Sequence, residues 1–261
     1  MTIEVGQLYR TDKAMYPSKG KALEPERLGS TLDVAANLDP SIGKFLARFL
    51  NSTFFSARYQ TIRETLRRNR NSSRAEVVSA LIPYLFENGG YFFMADYPGT
   101  RQVILTPQET SIVYGAPELS ETLRGKEHAE PDCLVFRPAG DRTRLTGLLE
   151  FTTLTSDVQN KKAAQIRAYE SGEAVSDLTA GFGDGWMKSL GRKLNEWYPQ
   201  LPANLAFDIN MYRAEICCVR NSTIPRVPNL NHVTFTKLPF TSFDIEGLAN
   251  GLIDDISQEF K

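Results

Sequence analysis

An apolar, β-prone run with one carboxylate in its middle indicates a buried strand at the centre of a sheet. The stretch RLTGLLEFTTL is hydrophobic on both sides of Glu150. A strand that is apolar on both faces is typical of the buried centre of a sheet. An ionised side chain is costly there unless it is paired or bound to a metal ion. Glu150 is therefore the first candidate functional residue, and the run predicts a sheet in the core.

A second carboxylate, Asp132, stands at the start of the preceding predicted strand, directly after a proline. Taken alone, such an aspartate is also a common start of a strand or turn. The two acids lie at the same end of a hairpin if its strands are long or bulged. Mg²⁺ and Mn²⁺ prefer carboxylate oxygens as ligands. Asp132 and Glu150 therefore predict a site for one or two of these ions.

Helical and strand-like patterns alternate along the rest of the chain. Apolar residues recur at the helical period in 40–55, in 56–70, and from Ser72 as far as two consecutive glycines. Further predicted strands are GGYFFMADY, RQVILTP, SIVYG, DCLVFRP, LAFDINMYRAEICCVRN and HVTFTKL; further predicted helices are SDVQNKKAAQIRAYESG, the segment after GFGDG, and IEGLANGLIDDISQEF. This order indicates an α/β or α+β fold.

The composition changes twice along the chain and suggests its organisation. Residues 1–30 are polar and rich in Lys, Pro and Gly, and the tail from Pro225 opens with prolines. We therefore expect an N-terminal arm with a helical extension over 1–70. A core follows over 71–224, and a C-terminal extension over 225–261.

Composition excludes several classes of function. The 261 residues carry a net charge of −1, so the chain as a whole attracts neither nucleic acid nor an anionic membrane. No run is apolar enough to span a bilayer, and no secretory signal is evident. The three cysteines form no CxxC pair, and two histidines are too few for a multi-histidine zinc site. We expect a cytoplasmic protein with no membrane partner.

The predicted helix after Glu150 carries a stripe of polar groups. Lys161, Gln165 and Tyr169 fall at i, i+4 and i+8 on one face, and Lys162 lies beside them. Either lysine would stabilise the negative charge that develops on a phosphate during cleavage. Gln165 and Tyr169 would hold that phosphate. The local alternative is a solvated helix with Tyr169 in the core.

Two further charged features lie in the N-terminal half. Glu76 is a candidate third metal ligand, and its spacing from Ser73 equally fits a capping box. The helix before it carries a dense basic stretch, which is either a solvated face or a track for a nucleic-acid backbone. The arginines that we single out for this contact are Arg67, Arg68 and Arg74.

The residues around the two acids resemble a known family. The Pro-Asp pair, the acid in EFTT and the motif QIRAY are similar to the PD-(D/E)xK nuclease superfamily. The segment 130–172 most closely resembles the cap-snatching endonuclease domain of segmented negative-strand RNA virus polymerases. The resemblance implies a restriction-endonuclease-like core, with a central mixed sheet flanked by helices. It also implies metal ligation by Asp132 and Glu150, with Glu76 as the third ligand.

The chain departs from the family pattern at three places. The superfamily's lysine usually lies two residues after the second acid, where this chain has Thr152, so Lys161 or Lys162 would replace it. The viral helix lysine often occupies the place of Gln165. Many viral domains also carry a metal-binding histidine on the first helix, and this chain has none before His128.

Two functions are compatible with these residues. The first is a divalent-metal-dependent endonuclease that cleaves RNA or single-stranded nucleic acid. In a viral protein it would work with further polymerase domains in the host-cell cytoplasm and cut capped leaders from host mRNA. Alternatively, it would be a cellular nuclease with the same core. The second is a catalytically degenerate module of this fold that binds nucleic acid or a protein partner without cutting.

Overall fold

The computed structural model describes residues 24–95, 102–106, 109–110, 132–139, 142–153, 155–156, 205–207, 213–224 and 233–259. The predicted strand SIVYG lies outside these ranges, and so do nearly all of the predicted helix 156–172 and the helix after GFGDG. The described residues form both helices and strands, which confirms the mixed fold class at that level.

The chain divides into two compact units. One contains the described residues of Arg10–Asp96, Val219–Asn221 and Leu238–Lys261, and it is helical. The other contains those of Tyr97–Cys218 and Ser222–Lys237, and it is built on a sheet. The long helix after residue 73 belongs to the helical unit, whereas the sequence predicts it as the start of the core.

The helical unit contains five α-helices within its described residues, after a short 3-10 helix at Pro25–Leu28. They are α1 (Gly29–Ala36), α2 (Pro40–Leu50), α3 (Thr53–Arg68), α4 (Arg74–Ala95) and α5 (Ser242–Glu259). The predictions of α2, α3, α5 and the first part of α4 are confirmed. None of these described helices has the length and apolar character needed to cross a membrane.

Side-chain caps define where two of these helices begin. Asp39 accepts a hydrogen bond from the Ser41 N–H at 3.0 Å before α2. Ser52 accepts one from the Phe55 N–H at 3.0 Å before α3. Each cap satisfies a backbone donor that the first turn of a helix leaves without an intrahelical partner.

The segment 89–97, predicted as a strand, is helical through its described part and forms the last turns of α4. The strand prediction was wrong because it rested on a run of aromatic residues after two glycines. The ring centroids of Phe92 and Phe93 lie 5.8 and 5.3 Å from that of Phe45 on α2. These aromatic contacts stabilise the helix across its glycines, so tertiary packing overrides the local pattern.

Helix α5 anchors the start of α1 through a buried carboxylate. Asp255 accepts hydrogen bonds from the N–H of Ser30 at 2.8 Å and from the N–H of Thr31 at 2.9 Å. It also accepts one from the Thr31 hydroxyl at 2.6 Å. The helices approach so closely that a Cβ on Gly251 would lie 2.9 Å from the Thr31 Cα. Asp255 thus does from another helix what an N-cap residue does locally.

The second unit is built on a six-stranded mixed sheet. Its strands are β1 (Val103–Leu105), β2 (Cys133–Ala139), β3 (Arg142–Thr152), β4 (Leu205–Phe207), β5 (Arg213–Cys218) and β6 (Val233–Lys237). The order is β1-β2-β3-β5-β6, and β4 also pairs with β3. The pairs β1–β2 and β2–β3 are antiparallel, whereas β4 and β5 run parallel to β3, and β6 runs parallel to β5. The predicted central strand therefore has neighbours on both edges.

The hairpin of β2 and β3 is both long and bulged. Val135 pairs with Gly147 and the next residue, Phe136, pairs with Leu145, so Thr146 is the extra residue of a β-bulge. The Thr146 hydroxyl donates a hydrogen bond to the Val135 carbonyl at 3.4 Å. The long strands and the bulge are the two properties that the sequence analysis required for Asp132 and Glu150 to lie at the same end of the hairpin.

The segment LAFDINMYRAEICCVRN, predicted as one strand, forms the two strands β4 and β5. Both pair in parallel with β3, β4 along Thr143–Leu145 and β5 along Gly147–Thr152. The single-strand prediction was wrong because apolar periodicity does not show that the two strands pair with β3 in different registers. The predictions of β1, β2, β3 and β6 are confirmed.

Candidate metal centre

The strand register brings the two candidate acids to one end of the sheet. Cys133 pairs with Leu149 at the end of the β2–β3 ladder. Continuing this register by one residue places Asp132 opposite Glu150. Opposed residues on neighbouring antiparallel strands project to the same face, with Cβ atoms about 5 Å apart. Extended in this way, the register brings the two carboxylates to the same end of the sheet.

A backbone hydrogen bond fixes the carboxylate of Asp132. Its Oδ2 accepts the N–H of Phe151 at 2.6 Å. A bond this short to an ionised acceptor is among the stronger hydrogen bonds in proteins. Because Phe151 directly follows Glu150, the bond ties the first acid to the strand that carries the second.

The face that carries the acids continues across β3 and β5. β5 pairs Ile216 with Glu150 and Cys218 with Thr152. All four side chains are buried, and Glu150 is only 5% exposed. A carboxylate in such surroundings requires hydrogen bonds or a cation to offset its lost hydration.

The acids also influence a thiol of the neighbouring strand. Burial raises the pKa of Cys217 well above its ordinary value. The Coulombic effects of Glu215, Cys218, Asp132 and Glu150 raise this pKa further, in that order. Cys217 therefore remains a neutral thiol, and core packing is confirmed as the role of the two adjacent cysteines, which are both buried.

Glu76 forms the capping box that its spacing predicts. Its Oε2 accepts the N–H of Ser73 at 2.7 Å, and its own N–H donates to the Ser73 hydroxyl at 3.3 Å. Glu76 is exposed and belongs to the helical unit, whereas Asp132 and Glu150 belong to the sheet unit. A role for Glu76 as third metal ligand stays a prediction.

The three candidate arginines have different surroundings. Arg67 and Arg68 are exposed in the last turn of α3, where the Arg67 Nη1 lies 3.7 Å from the Glu64 Oε1. Arg74 holds α4 to α5, because its Nη1 lies 2.6 Å from the Oδ1 of Asp254. That hydrogen bond raises the pKa of Arg74. Nucleic-acid contact by these arginines stays a prediction.

The predicted helper lysines and phosphate contacts lie outside the described residues; they are Lys161, Lys162, Gln165 and Tyr169. The described sheet contains another lysine, Lys237, which sequence reasoning missed. β6 pairs Lys237 with Cys218, in register on β5. No local motif in HVTFTKL points to this residue, since only the pairing of β6 with β5 reveals its position.

Glu109 is a buried acid after β1 that sequence reasoning also missed. Its Oε2 accepts the N–H of Thr106 at 2.8 Å, and its N–H donates to the Thr106 hydroxyl at 3.3 Å. The spacing in TPQE is a capping-box signal that the sequence does contain. Burial raises the pKa of Glu109 to about 7. No pattern in the neighbouring sequence predicts that this residue is buried.

Across the ranges that the structure describes, no three His, Cys, Asp or Glu residues group closely enough to hold a metal ion. The described centre is therefore a pair of carboxylates. Comparison of the chain with family models, with curated proteins and with solved structures gives no match.

Proposed function

We propose that this chain is a divalent-metal-dependent nuclease with a restriction-endonuclease-like core. The observation that supports the proposal is the hydrogen bond from the Phe151 N–H to the Asp132 Oδ2 at 2.6 Å, which ties the first acid to the strand that carries Glu150. The mixed sheet with the acid-bearing strand at its centre agrees with such a core. The resemblance of the segment 130–172 to cap-snatching endonucleases adds to this support.

The donor set of the centre fits Mg²⁺ or Mn²⁺. Both are hard cations, and Mg²⁺ is commonly held by one or two carboxylates, with water and substrate phosphate oxygens completing its shell. Two like charges that face each other on adjacent strands repel, and a bound divalent cation offsets that repulsion. Asp132 and Glu150 would hold one or two ions, and water and substrate oxygens would supply the remaining ligands.

The protein's contribution to the reaction is preorganisation of charged groups. The Phe151 N–H holds Asp132, so this carboxylate needs little reorganisation during the reaction, and Glu150 projects from the buried central strand. A bound ion would polarise the phosphate and lower the pKa of the attacking water. As the water oxygen bonds to phosphorus, the water releases one proton to solvent; the ester bond from phosphorus to the leaving oxygen breaks, and that oxygen takes up a proton from solvent.

RNA or another single-stranded nucleic acid is the proposed substrate. Arg67, Arg68 and Arg74 would contact its phosphates, together with Gln165 and Tyr169. Because such contacts release counterions, binding should weaken steeply as salt rises. In the narrower viral form of the proposal, the chain works with further polymerase domains in the host-cell cytoplasm and prefers capped RNA. Parallel assays on capped RNA, uncapped RNA and single-stranded DNA test that preference.

Cleavage of a labelled single-stranded RNA in Mn²⁺ tests the main proposal. The wild-type chain should cut, and EDTA should abolish cutting. Asp132→Asn and Glu150→Gln keep the side-chain shape and remove the charge, so each should lower the rate on the order of 10²-fold or more. Glu246→Gln, at an exposed position on α5, is the matched control and should cut normally. Equal product from wild type and Asp132→Asn would end the nuclease claim for this site.

A second candidate function is a nuclease-fold module that binds without cutting. Thr152 favours it, because this buried residue stands where the superfamily's lysine usually lies. A thermal-shift titration with Mn²⁺ separates the two candidates. An intact two-carboxylate site should raise the melting temperature by mass action. A degenerate module should instead bind RNA with no dependence on Mn²⁺ and release no product.

A further inference from the structure

One row of side chains crosses three strands beside the candidate metal centre. β5 pairs Cys218 with Thr152, and β6 pairs Lys237 with Cys218. Side chains alternate between the faces of a strand, and residues paired in register share a face. Lys237 therefore lies on the face of Glu150, one row beyond it towards the ends of the parallel strands.

The position of Lys237 suits contact with a bound substrate rather than with the acids themselves. Two strand spacings separate it from Thr152, which amounts to roughly 10 Å between Cα atoms. Lys237 is exposed at the last residue of β6. Its flexible four-carbon stem carries three donors, so its ammonium can reach a phosphate that sits between β6 and the acid pair.

We propose that Lys237 supplies the positive charge that stabilises the phosphate during cleavage. The proposal rests on the nuclease function argued above and assigns the helper role to a residue of β6. The sheet then carries an acid just before β2 and an acid on β3, which would hold a cation, and an ammonium group on β6, which would bind the non-bridging phosphate oxygens.

The role proposed for Lys237 follows from the negative charge that develops on the phosphate during the reaction. As the water oxygen bonds to phosphorus, negative charge accumulates on the non-bridging oxygens before the ester bond breaks. A positioned ammonium interacts more strongly with that charge than with the ground-state phosphodiester, so it accelerates the chemical step. Lys237 neither gains nor loses a proton in this role. Its removal should therefore affect the rate constant more than the binding of metal.

Paired measurements on lysine variants test this assignment. Lys237→Ala should lower kcat for single-stranded RNA in Mn²⁺ by about 10²-fold, and Lys237→Arg should recover part of that loss because it restores the charge. The Mn²⁺-induced shift in melting temperature should equal that of wild type. Lys44→Ala, at an exposed position on α2, is the control and should cut at the wild-type rate.

The remaining outcomes decide between this lysine and the others. If Lys237→Ala cuts within about threefold of wild type, or if Lys161→Ala or Lys162→Ala abolishes cutting while Lys237→Ala does not, the assignment is overturned and the nuclease function stands. If Lys237→Ala loses the Mn²⁺-induced shift, its role is structural and the assignment is likewise overturned. If wild type itself never cuts in Mn²⁺, the nuclease function and this assignment fall together.

Discussion

The carboxylate of Asp132 accepts a hydrogen bond from the backbone N–H of Phe151 at 2.6 Å. This bond joins the residue before β2 to the residue after Glu150 on β3, so two acids that are distant in sequence become neighbours. The fold therefore brings two carboxyl groups to one end of its sheet. Such an arrangement opposes stability and is typical of functional sites.

The repulsion between the two acids predicts a stability gain when one charge is removed. Glu150→Gln should raise the free energy of unfolding in EDTA by about 0.2–1 kcal/mol, because like charges directly opposite each other on a sheet are destabilising. Urea unfolding of the variant and of wild type measures the difference. In Mn²⁺ the order should reverse, since wild type alone binds the ion with both acids. A variant less stable than wild type in EDTA would contradict the predicted repulsion.

The buried carboxylate of Asp255 predicts a large loss of stability on truncation. Asp255→Ala should lower the free energy of unfolding on the order of 3 kcal/mol, because the N–H groups of Ser30 and Thr31 and the Thr31 hydroxyl lose their acceptor. The adjacent Asp254→Ala is the control. It removes an exposed ion pair with Arg74 and should cost less than about 1 kcal/mol. If chemical denaturation gave the same loss of unfolding free energy for both variants, the Asp255 cap would contribute little to the stability of α1.

The close approach of α1 and α5 predicts opposite effects of two glycine substitutions. Gly251→Ala should destabilise the protein by about 1–3 kcal/mol, because its Cβ would lie 2.9 Å from the Thr31 Cα and 3.0 Å from the Ser30 carbonyl oxygen. Gly29→Ala should stabilise it by about 0.5–1 kcal/mol, because Gly29 is helical and has nothing within 4 Å of an added Cβ. Thermal unfolding of both variants checks the signs, and a stabilising Gly251→Ala would mean that the helices separate readily.

The buried Glu109 predicts a pH dependence of stability. Its pKa is raised from 4.5 to about 7 by burial, so between these values the folded state holds a proton that the unfolded state has released. The stability that this proton provides is present at low pH and is lost as pH rises from about 4.5 to about 7, by on the order of 3 kcal/mol at most. Glu109→Gln should remove this fall, which urea unfolding at pH 5 and pH 7.5 measures. If the free energy of unfolding changed equally between pH 5 and pH 7.5 in both proteins, Glu109 would not cause the pH dependence.

Local sequence signals predicted a large part of the fold. Helical periodicity located α2, α3 and α5, and the spacing of Ser73 and Glu76 predicted the capping box of α4. The apolar run around Glu150 predicted β3 as a central strand. These signals suffice because caps and amphipathic faces depend on residues within one or two turns of each other.

Local signals failed where contacts between distant residues decide the structure. The aromatic residues after Gly90 were predicted to form a strand. They continue α4 instead, because Phe45 packs against Phe92 and Phe93. The split of residues 205–221 into two strands likewise depends on which part of β3 each one meets.

The candidate site likewise has features that local sequence predicts and features that depend on contacts between distant residues. The amino-acid pattern alone predicts carboxylates at positions 132 and 150, each beside apolar residues that favour a buried sheet. The hydrogen bond that ties Asp132 to the strand of Glu150, and the register that puts Lys237 on the face of Glu150, depend on the tertiary structure. A residue-by-residue pattern specifies which side of a strand is apolar, but strand register is set by pairing between segments far apart in the chain, through the bulge at Thr146 and the packing of the whole sheet.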